Sequence, residues 1–200
     1  MLDAIHHLRT TDPVLDAIIR RVGPYRIEFR EPGFEALAKA IIFQQLSGRV
    51  ANVIFGRLAD AAGRPLTAPG LLALRPSRMR TLGLSKQKIA YIRDLARQTR
   101  DGKLDFAAMA GLPDEEVIER LTAVKGIGVW TAHMFLIFAL RRHNVLPVGD
   151  LGIRAAIRKA YGLAELPTPA EVTEMARPWH PWCTVASWYL WRSVEPDANL

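Results

Sequence analysis

Leu121-Thr122-Ala123-Val124-Lys125-Gly126-Ile127-Gly128-Val129-Trp130-Thr131-Ala132 joins two helical patterns through a turn whose two glycines stand one residue apart. Upstream, Pro113 suits the first turn of a helix, and Asp114, Glu115 and Glu116 lie at its positive end. Val117, Ile118 and Leu121 form that helix's apolar face. Downstream, a nearly continuous apolar run predicts a helix from Gly128 to Arg142, apolar on most sides and therefore central and buried. Such a hairpin can present backbone N–H groups beside a helix N-terminus, a set of fixed dipoles suited to a DNA phosphate. The glycines leave room for the phosphate, and Ile127 packs inward to hold the turn. Taken alone, a Gly-x-Gly between helices more often marks a plain helical hairpin with a glycine cap.

Helical periodicity continues outward from this centre. Phe34, Leu37, Ala38, Ile41, Ile42 and Leu46 share one face of a helix over 34–46. Ser47-Gly48 interrupts it, and a second helix carrying Val53, Ile54 and Leu58 runs to Gly63. Pro65 to Pro76 is turn-rich with a short helix inside, and Ser85 caps a helix using Ile89, Ile92 and Leu95. Asp150 caps another, through Leu151, Ala155 and Ile157 to the neighbourhood of Gly162. Pro169 and Pro181 each start a further helix, the last rich in tryptophan. The periodicity predicts about ten helices and an all-α fold. Tyr25 to Phe29 alternates and is the one strand-like segment, marginal on its own.

Two hundred residues suffice for one domain, or for one compact unit of two lobes. A 50% hydrophobic content marks a folded chain. Lys and Arg number 27 against 20 Asp and Glu, a net charge of +7. That excess favours a polyanionic partner, although a basic protein without one has the same count. Cys183 is the single cysteine, which excludes a disulfide framework, a multi-cysteine zinc site and a four-cysteine iron–sulfur cluster within one chain. His6 and His7 are adjacent while His133, His143 and His180 lie apart, so no paired spacing suggests a metal. Met1 to Thr10 has no apolar core of a signal peptide. Val129 to Leu140, interrupted by Thr131 and His133, is too short to span a bilayer. The expectation is a soluble, reduced, cytoplasmic protein with no membrane partner.

Beyond the hairpin stands Leu146-Pro147-Val148-Gly149-Asp150-Leu151-Gly152-Ile153-Arg154. Here the chain resembles the helix-hairpin-helix (HhH-GPD) DNA glycosylases, and among them the 3-methyladenine DNA glycosylase II (AlkA-like) branch. The matching pieces are FEALAKAIIFQQLS from Phe34, VKGIGVWTA from Val124, PVGDLGIR from Pro147, and WHPWCTVASWYLWR from Trp179. They cover most of 33–195 in the family's order and spacing. The resemblance implies a single glycosylase domain over 1–200, built as two helical lobes with an interlobe cleft for bent duplex DNA. One lobe would be about 33–147, the other 1–32 plus 148–200. Larger relatives carry an N-terminal β-rich domain, which this chain is too short to include, so the expectation is that the chemistry does not depend on it.

The family also assigns roles. Asp150, an ordinary helix cap by itself, becomes the catalytic carboxylate that stabilises positive charge on the sugar and orients or deprotonates a water. Trp130 stands where members that also cut the backbone carry a Schiff-base lysine, which implies a monofunctional enzyme without lyase activity. Trp130 and Trp182, with Met134, would line a base pocket, because a tryptophan face attracts a cationic alkylpurine such as 3-methyladenine or 7-methylguanine. Core packing is the commoner fate of such residues, and Trp179, Trp188 and Trp191 are assigned to it. Lys125, Gly126, Ile127 and Gly128 form the DNA-binding hairpin. Gln44, Gln45, Leu46 and Ser47 match the loop that displaces a flipped base; Gln45 or Leu46 is the wedge, unless both glutamines are merely surface or capping groups. No cofactor is required, but the backbone carbonyls of Thr122, Val124 and Gly126 can hold a structural monovalent cation. Cys183 replaces an arginine found in many relatives and removes a phosphate or carboxylate partner. The partner implied is damaged double-stranded DNA, bound by a monomer. A glycosylase for deaminated or oxidised bases, and a non-catalytic DNA-binding module on the same hairpin, are the alternatives.

Overall fold

The structure, a computed structural model, describes residues 1–194. In chain order the helices are α1 (Leu2–Thr11), α2 (Pro13–Val22), α3 (Phe34–Phe43), α4 (Gly48–Ala62), α5 (Ala68–Ala73), α6 (Pro76–Thr81) and α7 (Lys86–Arg100). They continue with α8 (Phe106–Met109), α9 (Asp114–Thr122), α10 (Val129–Phe138), α11 (Leu151–Tyr161), α12 (Pro169–Met175) and α13 (Cys183–Val194), with a 3₁₀ turn at Arg177–Trp179. No strand occurs among the described residues. Side-chain caps account for the starts of α2, α5, α7, α8, α11 and α12. Ser85, Asp105 and Asp150 accept N–H groups of the first turns of α7, α8 and α11. Thr168 and Glu171 form a capping box at α12, with Pro169 in its first turn.

Several expectations need correction. The helix that starts at Phe34 ends at Phe43 rather than Leu46, because the chain turns at Gln44 and Gln45. Tyr25 to Phe29 pairs with no strand. Its alternation comes instead from side-chain packing, with the Tyr25 ring edge-on to Trp188 at 4.8 Å and Arg141 over the Phe29 ring at 5.1 Å. The long apolar helix stops at Phe138 rather than Arg142, because Arg141 adopts a φ of 57° and the Arg142 N–H turns back to the Leu136 carbonyl at 2.9 Å. Its first turn is not buried: Val129 and Trp130 are 53% and 50% exposed. The last helix begins at Cys183, after Pro181 rather than on it.

The described residues divide into two compact units, one of residues 30–135 and one of residues 1–29 with 136–194. The sequence-based lobes put the second boundary at 147. Residues 136–147 group with the second unit through bonds that no local pattern encodes. Thr184 Oγ1 donates to the Arg142 carbonyl and accepts the Val145 N–H, while the Thr184 N–H reaches the His143 carbonyl. Phe138 stacks near Trp191, with ring centroids 6.2 Å apart.

Within 30–135, α7 is the scaffold. Its Ile92 and Leu95 are fully buried, as are Leu37, Ile41 and Ile42 of α3 and Leu71 of α5. Each such side chain contributes ~1.5–3 kcal/mol of hydrophobic stabilisation. Within the other unit α13 is central, buried from Cys183 to Trp191, with α1, α2 and α11 packed against it. The α1–α2 corner is pinned by Asp12, which caps α2 and accepts hydrogen bonds from the Trp179 indole and the Tyr161 hydroxyl. Among the described residues no helix is long and apolar enough to cross a membrane.

Candidate nucleic-acid interface and active site

The turn between α9 and α10 holds its two glycines for different reasons. Gly126 has a φ of +83°, and a Cβ there would sit 2.1 Å from the Tyr91 ring. It is required by backbone conformation and by close packing on α7. At Gly128 a Cβ would meet nothing within 4 Å, so only there does a missing side chain keep an approach open. Ile127 is buried, as its place between the glycines implies. Two hairpin amides are already engaged: Lys125 N–H donates to Asp94 Oδ2 at 3.0 Å, and Ile127 N–H to the Val124 carbonyl at 3.1 Å. The Gly126 and Gly128 N–H groups have no acceptor among the described residues. The anion-binding capacity therefore concentrates at Gly128 and the first turn of α10, with the exposed Lys125 side chain beside it.

Of the three carbonyls suited to a monovalent cation, Val124 accepts the Ile127 N–H and Gly126 accepts Gln44 Nε2 at 2.9 Å. A carbonyl oxygen carries two lone pairs, so Thr122, Val124 and Gly126 remain a neutral oxygen set compatible with such an ion.

The segment after α3 forms a turn closed by the Leu46 N–H on the Phe43 carbonyl at 3.3 Å. Gln44 has φ −53° and ψ 127°, and Gln45 a φ of 57°, an arrangement of type II for which glycine is usual at the second position. A side chain held there costs ~1–2 kcal/mol. Gln44 points to the hairpin, whereas Gln45, Leu46 and Ser47 are exposed. Ser47 precedes α4 without a side-chain cap bond, and α4 carries the exposed Val50 and Val53 after the exposed Leu46 of the turn.

Trp130 is half exposed in the first turn of α10, with half-buried His133 and Met134 three and four residues on, along the same face. Burial pushes the His133 imidazole below its ordinary value, with Asp114 opposing. These residues fall in the 30–135 unit, while Trp182 belongs to the other, half-buried with its ring edge-on to His143 at 5.7 Å.

In that second unit, Asp150 Oδ1 accepts the Ile153 N–H at 2.8 Å and the Trp191 indole N–H at 2.9 Å. The capping bond and the indole fix the carboxylate's orientation at the N-terminus of α11, and its side chain stays half-buried. Trp191 is thus buried, as expected of a core residue, and also a direct partner of Asp150, which the sequence reading missed. Gly152 makes this possible: a Cβ there would lie 3.1 Å from Asp150 Oδ1 and 3.2 Å from Trp191 Cδ1. Trp179 and Trp188 are core. Cys183 is fully buried, and burial pushes its thiol up to about 12, so it stays a neutral packing group. No cluster of three or more His, Cys, Asp or Glu side chains suited to a metal occurs among the described residues.

An all-helical chain with a Gly-x-Gly hairpin and a capped, indole-bound aspartate matches one family model. Residues 38–181 match the HhH-GPD superfamily of base excision DNA repair proteins, and the chain belongs to that family. Its relatives include DNA-3-methyladenine glycosylase 1 of Schizosaccharomyces pombe, 37% identical over 196 residues, which are 94% of this chain and 86% of that one. Among solved structures, a DNA-3-methyladenine glycosidase from Bacillus halodurans superposes with a TM-score of 0.88 at 33% identity, covering 98% of this chain and 92% of its own. A 3-methyladenine DNA glycosylase of S. pombe in complex with abasic DNA gives 0.85 at 35% identity, with 99% and 98% covered.

Proposed function

We propose that this protein is a monofunctional DNA glycosylase that hydrolyses the N-glycosidic bond of alkylated purines in duplex DNA, leaving free base and an abasic site. The observation that carries this reading is the Asp150 carboxylate, fixed by the Ile153 and Trp191 N–H groups at a helix start, in a chain whose relatives are named 3-methyladenine DNA glycosylases. Gly128, the first turn of α10 and Lys125 take a phosphate of the damaged strand. Gln45 or Leu46 enters the gap left by the flipped nucleotide, offsetting part of the few kcal/mol that unstacking costs. Trp130 in one unit, with Met134 one turn on, and Trp182 in the other each offer a face suited to a cationic base by stacking and cation–π attraction.

As the bond between C1′ and the base nitrogen breaks, its electron pair leaves with the base and neutralises the cationic ring. The positive charge moves to the sugar, where the ionised Asp150 stabilises it. Water then bonds to C1′ and passes its proton to the carboxylate. With tryptophan at 130 no amine attacks the sugar there, so no Schiff base forms. Carbonyls of Thr122, Val124 and Gly126 would hold a monovalent cation, which supplies positive charge toward the phosphate when bound; the chemistry itself needs no cofactor. The protein acts as a monomer on damaged DNA in the cytoplasm, at the nucleoid if the cell is bacterial.

Incubation with methylated duplex DNA tests the reading. Chromatography should find free 3-methyladenine, and borohydride should trap no protein–DNA adduct. No released base, release only from deaminated or oxidised DNA, or a trapped adduct would each contradict it.

A further inference from the structure

One face of α7 touches both the hairpin and the turn after α3. Lys88 Nζ donates to the Ile42 and Gln44 carbonyls at 2.5 and 2.6 Å, a cation on the negative end of α3. Burial lowers the affinity of this amine for its proton, so its cost is met by those two short bonds. One turn on, Tyr91 packs under Gly126, and a further turn on, Asp94 holds the Lys125 N–H. The Gln44 side chain closes the circuit by donating to the Gly126 carbonyl at 2.9 Å. The turn at the centre of this circuit carries Gln45 in a conformation that glycine prefers.

We propose that Lys88 and Gln44 are positioning residues that lock the base-displacing turn to the phosphate-binding hairpin, so that a duplex gripped at Gly128 meets Gln45 and Leu46 in fixed register. This rests on the functional reading above. A wedge on a loose turn must be ordered during each flipping event, at an entropic cost that a preformed turn has already met on folding. Gln45 keeps its strained backbone only where its neighbours hold it, and Lys88 does so by binding the carbonyl of the preceding residue. Lys88 touches no DNA in this role; it acts through the turn.

The test uses the full chain and a duplex with 2-aminopurine stacked beside a single 7-methylguanine, whose fluorescence rises when the damaged base leaves the stack. Lys88→Met and Gln44→Met, the latter of similar size and uncharged but without the donor, should each lower the fluorescence rise and single-turnover base release about tenfold. Affinity for undamaged duplex should stay within about twofold, because the hairpin's phosphate grip is intact. Lys88→Arg, which can still donate to both carbonyls, should recover much of the loss. Wild-type flipping and release in either donor-less variant would overturn the proposal. So would a Gln44→Met protein whose melting temperature and undamaged-duplex binding fall in step with excision, since that marks a merely structural bond. A wild-type protein that releases no base overturns the functional reading first, and this proposal with it.

Discussion

Asp12 and Asp150 are built alike and placed differently. Each caps a helix, α2 or α11, and each accepts a tryptophan indole N–H, from Trp179 at 2.8 Å or from Trp191 at 2.9 Å. Asp12 is 6% exposed, and both its oxygens are spoken for: Oδ1 by the Val14 and Leu15 amides, Oδ2 by Trp179 and Tyr161. At Asp150 the capping and indole bonds both fall on Oδ1, and the residue is half-buried beside exposed Leu151. The same local motif is thus buried as a structural rivet in one place and part-exposed in the other. Burial separates them, whereas capping does not.

The largest expected effect is on Asp150. Asp150→Asn keeps a good capping residue and an acceptor for Trp191, but removes the charge. Base release should fall by ~10²–10⁴ while the melting temperature holds. Equal losses in rate and stability would place Asp150 with Asp12 as a rivet. Asp12→Ala should do the reverse. It removes two capping bonds and strands the donors of Tyr161 and Trp179, so a denaturant melt should show a loss of about 3 kcal/mol or more. An unchanged melt would break the contrast from the other side. Burial, followed by the hydrogen bond to Asp12, already pushes the Tyr161 hydroxyl above its ordinary value, which shows how closed that corner is.

Trp191→Phe sharpens the comparison at an intermediate level. The ring can still stack near Phe138, but the N–H that orients Asp150 is gone. Single-turnover release should drop about tenfold, the worth of one hydrogen bond to a charged group. A variant as fast as wild type would leave the indole a packing group only. At the hairpin the two glycines should separate in the same way. Gly126→Ala meets the Tyr91 ring at a positive φ and should lower the melting temperature. Gly128→Leu should leave the melt intact and weaken duplex binding to all sequences alike. Binding that hardly responds to added salt would remove phosphate contact from the account altogether.

Short-range chemistry was the legible part. Ser85, Asp150 and Pro169 mark helix starts that the structure contains, and the hairpin with buried Ile127 lies where the glycines put it. Asp12-Pro13 is a helix start of the same kind, but its indole partner lies 167 residues away, and no local pattern links them. The pattern places Trp191 in the core for the same reason: an apolar face on α13 cannot reveal which ring turns a nitrogen outward. One clue was available. A glycine in the first turn of a helix, as in Asp150-Leu151-Gly152, costs about 1 kcal/mol relative to alanine and suggests that something must come close. The bonds from Thr184 that draw 136–147 into their unit are equally invisible to periodicity, and so is the hold of Lys88 on the end of α3.

The most direct measurement sets Asp150→Asn and Asp12→Asn side by side. Single-turnover release of 3-methyladenine is recorded at one temperature, and each rate is divided by the folded fraction from a melt of the same sample. Corrected in this way, Asp12→Asn should match the wild type and Asp150→Asn should remain ~10²–10⁴ slower. A corrected Asp150→Asn rate equal to wild type would contradict the assignment of Asp150 as the catalytic carboxylate.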